Sequence, residues 1–228
     1  MNLNLFFMKK IFYTFLLISP LLFITSCGED EIIVGCTDAT ACNYDELHNQ
    51  EDGSCLYPSV GYDCNGNIVD YIIGMELYGG ILFYLDDTGE HGLIASKQEL
   101  EKYEWGCYTD TIFGADGLVI GTGLQNSLDI QEECSETPIA AKVALSSNYA
   151  GYDDWYLPSA DELLAIYNNI GLPYYLVSAD KKFWSSSENS DGKAWFVDFE
   201  DLSWSNDTAT AELCWKHIEL SICPIRSF

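Results

Sequence analysis

Residues 154–163 read Asp154-Trp155-Tyr156-Leu157-Pro158-Ser159-Ala160-Asp161-Glu162-Leu163. The Ser159 hydroxyl can accept from the amide three residues on, and Glu162 can reach back to the Ser159 amide, so the stretch spells a capping box. Leu163, Tyr167 and Ile170 then share one face at helical spacing, and Gly171 with Pro173 ends the helix. Pro158 sets the turn into the cap. An earlier helix is expected from Thr137-Pro138, with proline at its first position and Ile139, Val143 and Ala144 turned towards a core.

Around these helices lie strand-like runs. Gly79-Gly80-Ile81-Leu82-Phe83-Tyr84-Leu85 and Leu93-Ile94-Ala95-Ser96 flank the turn chemistry of Asp86 to Gly92 and predict a hairpin. Further strands are expected at Lys182 to Ser187, at Ala194 to Phe199 and in a final run from Cys223 to Phe228. Two helices set between hairpins make the domain α+β. The chain is 48% hydrophobic, enough for a real core, and its six Trp all fall between Trp105 and Trp215, which puts that core in the C-terminal half.

The N-terminus has another character. Residues 1–26 carry no acid and only Lys9 and Lys10 as charges, followed by the apolar runs Ile11 to Ile18 and Leu21 to Ile24. A basic start before a short apolar run is the pattern of a secretory signal, and Pro20, Thr25 and Ser26 make it a poor membrane span. Ile24-Thr25-Ser26-Cys27 resembles the bacterial lipobox, which implies cleavage before Cys27 and a lipid anchor on its sulfur. The expected location is the outer membrane, facing the cell surface, with the membrane engaged through that anchor. Gly28-Glu29-Asp30-Glu31 is the start of an acidic tether over residues 27–35.

The formal net charge is −26, and loss of the leader makes it two units more negative. Such a field repels nucleic acid, anionic lipid head groups and sulfated polysaccharides, and it favours cations. Nucleic acid is therefore excluded as a partner.

Cys27 apart, eight cysteines remain: Cys36, Cys42, Cys55, Cys64, Cys107, Cys134, Cys214 and Cys223. An even number in an exported chain reads as disulfides, and the spacing lacks the CxxC-like pairs of a metal site. Four bridges are expected. Cys107 with Cys134 would pin the loop between them, and Cys214 with Cys223 would staple a hairpin. The first four cysteines fall in residues 36–69, a module too small and too poor in large apolar residues to close a core without staples. Its three pairings stay open. The module resembles a short Cys-rich repeat of surface proteins from marine Gram-negative bacteria. Its Asp45, Asp52 and Asp63 raise Ca²⁺ as the one cofactor in play, but the alternating spacing of a Ca²⁺ loop is missing and turn chemistry explains them.

Across residues 70–228 several segments stand in order: Gly79 to Leu93, Ile120-Gly121-Thr122-Gly123 before Asn126, Asp154 to Leu163, Phe183-Trp184-Ser185-Ser186-Ser187-Glu188, Ala194-Trp195, and Ile225-Arg226-Ser227-Phe228. This order resembles the Lcl C-terminal domain family, named for the end of a collagen-like bacterial adhesin. The resemblance implies an α+β domain related to the C-type-lectin-like and formylglycine-generating folds, a surface role, and in some members polysaccharide binding. Two departures count against a sulfated or Ca²⁺-bridged ligand. Apart from Lys9 and Lys10 the basic residues are scattered from Lys97 to Arg226, and Trp204-Ser205-Asn206-Asp207 breaks the Trp-Asn-Asp strand of a lectin-type Ca²⁺ site. The motif residues Trp155, Trp184 and Trp195 are expected to pack around the Leu163 helix.

No catalytic set emerges. Asp87-Thr88-Gly89 occurs once, whereas aspartic-protease chemistry needs two such carboxylates. Asp153 and Asp154 are adjacent, so they diverge and cap a turn. Ser185 to Ser187 have no nearby His, and His48, His91 and His217 show no ligand spacing, although His217 and Glu219 would share a strand face. Trp105, Tyr108, Trp204 and Trp215 lie outside the motif and are the candidates for stacking on a sugar. The expected function is a surface-anchored, non-enzymatic module that binds glycan or mediates adhesion. The alternatives are an envelope-assembly lipoprotein without a small ligand and, last, a divergent enzyme on this fold.

Overall fold

The computed structural model describes residues 31–98, 100–171, 181–199 and 210–228. The leader, Cys27 and the start of the tether lie outside the described residues. The chain forms two compact units that divide at Tyr57/Pro58, earlier than the 69/70 boundary expected from composition. Residues 58–69 belong with the larger unit because they contact it: the Tyr62 hydroxyl donates to the Glu76 carbonyl at 3.5 Å, and Ile68 packs on the cluster of Leu77, Leu82, Ile94 and Trp155.

The smaller unit is a set of turns held by the Cys36–Cys55 disulfide. Side chains do what a core would otherwise do. Asp38 accepts from the Thr40 amide and hydroxyl, and Glu51 accepts from those of Thr37. Cys42 and Cys64 are also disulfide-bonded.

Among the described residues the larger unit is α+β, with three α-helices and two antiparallel sheets. The first sheet has the order β1-β2-β3-β7, formed by Glu76–Leu77, Gly80–Leu85, Gly92–Ser96 and Ile225–Ser227. The second has the order β4-β5-β6, formed by Lys182–Ser190, Lys193–Asp198 and Ala211–Trp215. The unbroken apolar run of β2 follows from burial on both faces. Leu82 and its partner Ile94 pack with Trp155, while Phe83 and Ala95 face Leu163, Phe183 and Ile225. The hairpin turn is held by Asp86, which accepts from the Thr88 amide and hydroxyl and from the Gly89 amide.

The helix α3, Ala160–Ile170, carries the capping box in full, and Gly171 ends it at φ +67°. The helix α2, Ala140–Leu145, starts later than expected: Ile139 is its N-cap, and Pro138 follows a cis peptide bond outside it. The helix α1, Gly123–Glu133, was not expected at all. It buries Gly123, Asn126, Ser127 and Ile130 while Leu124 and Leu128 stay exposed, so apolar periodicity points away from its buried face. Among the described residues no helix is long and apolar enough to cross a membrane.

Three expectations about packing are corrected. Trp155 and Trp184 are buried, but in separate clusters, neither of them that of Leu163, and Trp195 is half-buried. Asp154 caps no turn; it grips Arg226 through two bonds of 2.7 and 2.8 Å. Cys214 and Cys223 are free thiols. Cys214 sits on β6 opposite Ala194 and packs on the Trp184 cluster, whereas Cys223 is buried in the Leu163 cluster.

Candidate functional site

The larger unit owes its frame to buried polar side chains. Glu162, beneath the first turn of α3, accepts from the Gly121 amide at 2.8 Å and the Ser159 amide at 2.7 Å. Its burial still pushes the carboxyl upwards in pKa. Ser187 donates to the Gly117 carbonyl at 2.6 Å and accepts from the Ala160 amide, and Asn126 donates to the same carbonyl at 2.7 Å. Ser185 donates to the Trp195 carbonyl at 2.8 Å. The serine run therefore joins β4 to its neighbours and to the cap of α3. These hydroxyls are committed to backbone bonds, as expected for a structural role.

A second buried group lies next along β4, at Glu188. Lys216, just past the end of β6, turns inward and is fully buried. Its ammonium bonds the Glu188 carboxylate and the Asp110 carbonyl (2.7 Å), and it lies 4.5 Å from the centre of the Trp105 ring. Glu188 also accepts from the Ile112 amide at 3.1 Å. Trp105 donates its indole N–H to the Ser185 carbonyl at 2.9 Å, and its backbone amide donates to the Lys216 carbonyl at 2.9 Å. One ion pair thus ties the end of a strand, the turn after β6 and the loop of residues 104–112.

That loop is strained and restrained at once. Cys107 and Thr109 hold φ of +45° and +79°, a region costly for residues with a Cβ, at about 1–3 kcal/mol each. Gly106, at φ +106°, has Ile139 within 2.8 Å of where a Cβ would stand. The Cys107–Cys134 disulfide holds the loop to the end of α1, the Cys107 amide donates to Glu136 at 2.6 Å, and the Thr109 amide donates to the Asp191 carbonyl at 2.9 Å. Between the two strained residues Tyr108 is presented to solvent.

Tyr108 is 41% exposed and Trp215, on the last residue of β6, is 48% exposed. Their rings meet edge-on with centres 6.1 Å apart, and His217 meets Tyr108 edge-on at 4.5 Å. Lys193, the cross-strand partner of Trp215, places its ammonium 4.5 Å from the centre of the indole. Gly192 leaves room for both rings: a Cβ there would stand 3.1 Å from Trp215 and 3.4 Å from Tyr108. The result is an exposed aromatic platform, edged by a lysine and an imidazole, on a rigid base.

Of the four stacking candidates, Tyr108 and Trp215 come together. Trp105 does not join them; it is completely buried and serves as the floor under Lys216. Trp204 lies outside the described residues. Lys193 has no signal in the sequence, since only the strand register sets it opposite Trp215; His217, expected to share a strand face with Glu219, lies past the end of β6, so no such face exists. The carboxylates weighed for Ca²⁺ are spent on turns: Asp45 accepts from Leu47, Asp52 from Ser54, and Asp63 from Asn65 and Asn67. An open cleft of about 590 Å³ runs past Glu101, Glu104, Glu136 and Glu219; among the described residues these four do not converge as a ligand set, and Glu136 instead lies close to the disulfide-bonded Cys107 and Cys134.

No protein-family model matches the chain, and no curated protein matches it either. Among solved structures, the chain is similar to a fimbrial protein from Bacteroides ovatus ATCC 8483, with 15% sequence identity and a TM-score of 0.46. The match covers 78% of this chain and spans 50% of the length of that protein.

Proposed function

We propose that this protein is a surface-anchored lipoprotein whose larger unit is a non-enzymatic adhesion domain that binds glycan on the platform of Tyr108, Trp215 and His217. One observation carries the reading. A strained, disulfide-held loop keeps a tyrosine in solvent beside an exposed tryptophan, and neither ring is needed to fill the core. Large aromatic faces exposed on a rigid base suit sugar rings, which present apolar C–H faces and hydroxyls together. Strain of this kind persists only where the surroundings impose it.

The same proposal includes the finer assignments drawn from the sequence: the Lcl C-terminal family, a C-type-lectin-like type of α+β domain, lipidation at Cys27 and an outer-membrane location. The serine and glutamate groups of the motif are engaged in holding the fold together, which fits a domain whose motif is structural and whose contact surface lies elsewhere.

The test is a glycan array probed with the full-length chain in detergent, with and without Ca²⁺, next to the Tyr108→Ala/Trp215→Ala variant. Binding by the parent protein and its loss in the variant, at unchanged thermal stability, is the expected result. Absence of binding by the folded parent protein would overturn the proposal and leave the envelope-assembly role in its place.

A further inference from the structure

The polar groups at the platform differ from those of the rest of the molecule. The chain holds 36 acidic and 10 basic side chains, so a basic group on its surface ordinarily finds a carboxylate. Lys97 pairs with Glu76, Lys182 with Asp198, Lys216 with Glu188 and Arg226 with Asp154. Lys193 departs from this, as does Lys142, whose ammonium bonds the Cys134 carbonyl, but Lys193 is the one at the platform. Its ammonium rests on the face of Trp215 and makes no ion pair among the described residues. The other polar groups at the platform are the Trp215 indole N–H, which donates, and the Tyr108 hydroxyl and His217 imidazole, which can donate and accept. Asp110 and Asp191, close in sequence to Tyr108 and Lys193, join the frame through their backbone carbonyls, to Lys216 and Thr109.

A neutral sugar could bond the hydroxyl and the imidazole but would leave the Lys193 ammonium without a counter-charge. A lysine that makes no ion pair among the described residues, set beside two exposed rings, calls for a ligand that brings an anionic group. Building on the glycan-binding reading, we infer that the platform takes a carboxylated sugar, with the ring stacked on Tyr108 and Trp215 and the carboxylate paired to Lys193.

The charge of the whole chain narrows this further. A densely sulfated polymer would meet the negative field along its length, whereas a uronate chain carries one carboxylate per sugar. At physiological ionic strength the field beyond about 8 Å is largely screened, so a single carboxylate docked on Lys193 answers chiefly to its local partner. An ammonium–carboxylate bond is about twice as strong as a neutral one and sets selectivity more than bulk affinity.

The experiment compares trigalacturonate with the matching neutral trigalactoside, obtained by reduction of its carboxyl groups, by calorimetry on the full-length chain in detergent. The parent protein is expected to bind the acidic probe about tenfold or more tightly than the neutral one. Lys193→Met keeps the aliphatic stem over the indole. It is expected to abolish that preference while weak binding of the neutral probe persists, with an unchanged melting temperature. Trp215→Ala is expected to lose both probes. Equal affinity of the parent protein for the two trisaccharides, or a preference that survives Lys193→Met, would overturn the inference and leave glycan binding standing. Failure of the folded protein to bind either trisaccharide or any glycan of the array would instead remove the reading beneath it.

Discussion

Replacing Lys216 by methionine strips the buried Glu188 carboxylate of its cation and leaves the Asp110 carbonyl without its donor. The side chains of Lys216 and Glu188 are 0% and 4% exposed, so water cannot take over the lost bonds. Breaking a buried pair from one side costs about 3–5 kcal/mol, chiefly because the other charge stays buried and uncompensated. Methionine refills most of the stem volume, and its sulfur over the Trp105 ring returns about 0.3–1.5 kcal/mol. Glu188 also keeps the Ile112 amide. The expected net loss is therefore about 2–4 kcal/mol. Glu188→Gln retains an acceptor for Lys216 and should cost less, about 1–3 kcal/mol. In the double variant no buried charge remains, so the two losses should fail to add by about 1–2 kcal/mol. Urea unfolding of the full-length chain, followed by tryptophan fluorescence, measures all three. With slopes of about 1–3 kcal/mol/M, Lys216→Met should lower the midpoint by roughly 1 M or more. A loss below about 1 kcal/mol in Lys216→Met, or strict additivity in the double variant, would refute the role given to this pair.

Three further outcomes follow from the geometry. Gly123→Ala improves helix propensity but sets a Cβ 2.2 Å from the Glu162 carboxylate and 2.7 Å from the Ser159 amide, so it should destabilise by about 1–3 kcal/mol and lower the melting temperature. The Arg226 guanidinium bonded to Asp154 holds that carboxyl below its ordinary range. Its folded value lies below its unfolded value, so the contribution is present above the ordinary carboxylate pKa and is lost as pH falls through the depressed one; Asp154→Asn should flatten the acid limb of stability measured from about pH 6 to pH 2. Alkylation under non-reducing denaturing conditions should label Cys214 and Cys223, while in the native state Cys223, its thiol pushed up to about 12 by burial, should resist; peptide mapping that recovers a bridge between the two would contradict the fold described.

Some of this protein was legible before any coordinates because the signals are local. The capping box of α3 depends on residues three apart, and the hairpin of β2 and β3 on an apolar run broken by Asp86 to Gly92, so both follow from the chain alone. Cys107 and Cys134 pair as expected because one loop brings them together. The helix α1 is hidden in the sequence because only Ile130 of its buried face is a large apolar residue; Gly123, Asn126 and Ser127 are matched to Glu162, Leu157 and the serines of β4. Such polar matching is readable only with both partners in view.

What the sequence by itself determined is the α+β class, the cap of α3, the hairpin, and aromatic side chains in numbers beyond the needs of a core. Which aromatics reach solvent was decided by tertiary structure alone. Trp105 and Trp215 look alike in the chain, but one lies under a buried lysine and the other ends an edge strand beside Tyr108. The same holds for Lys193 and Lys216: strand register lays one over an indole in solvent, and the turn after β6 sends the other inward to Glu188. Burial and pairing depend on contacts between residues far apart in the chain, and local pattern carries no record of those distances.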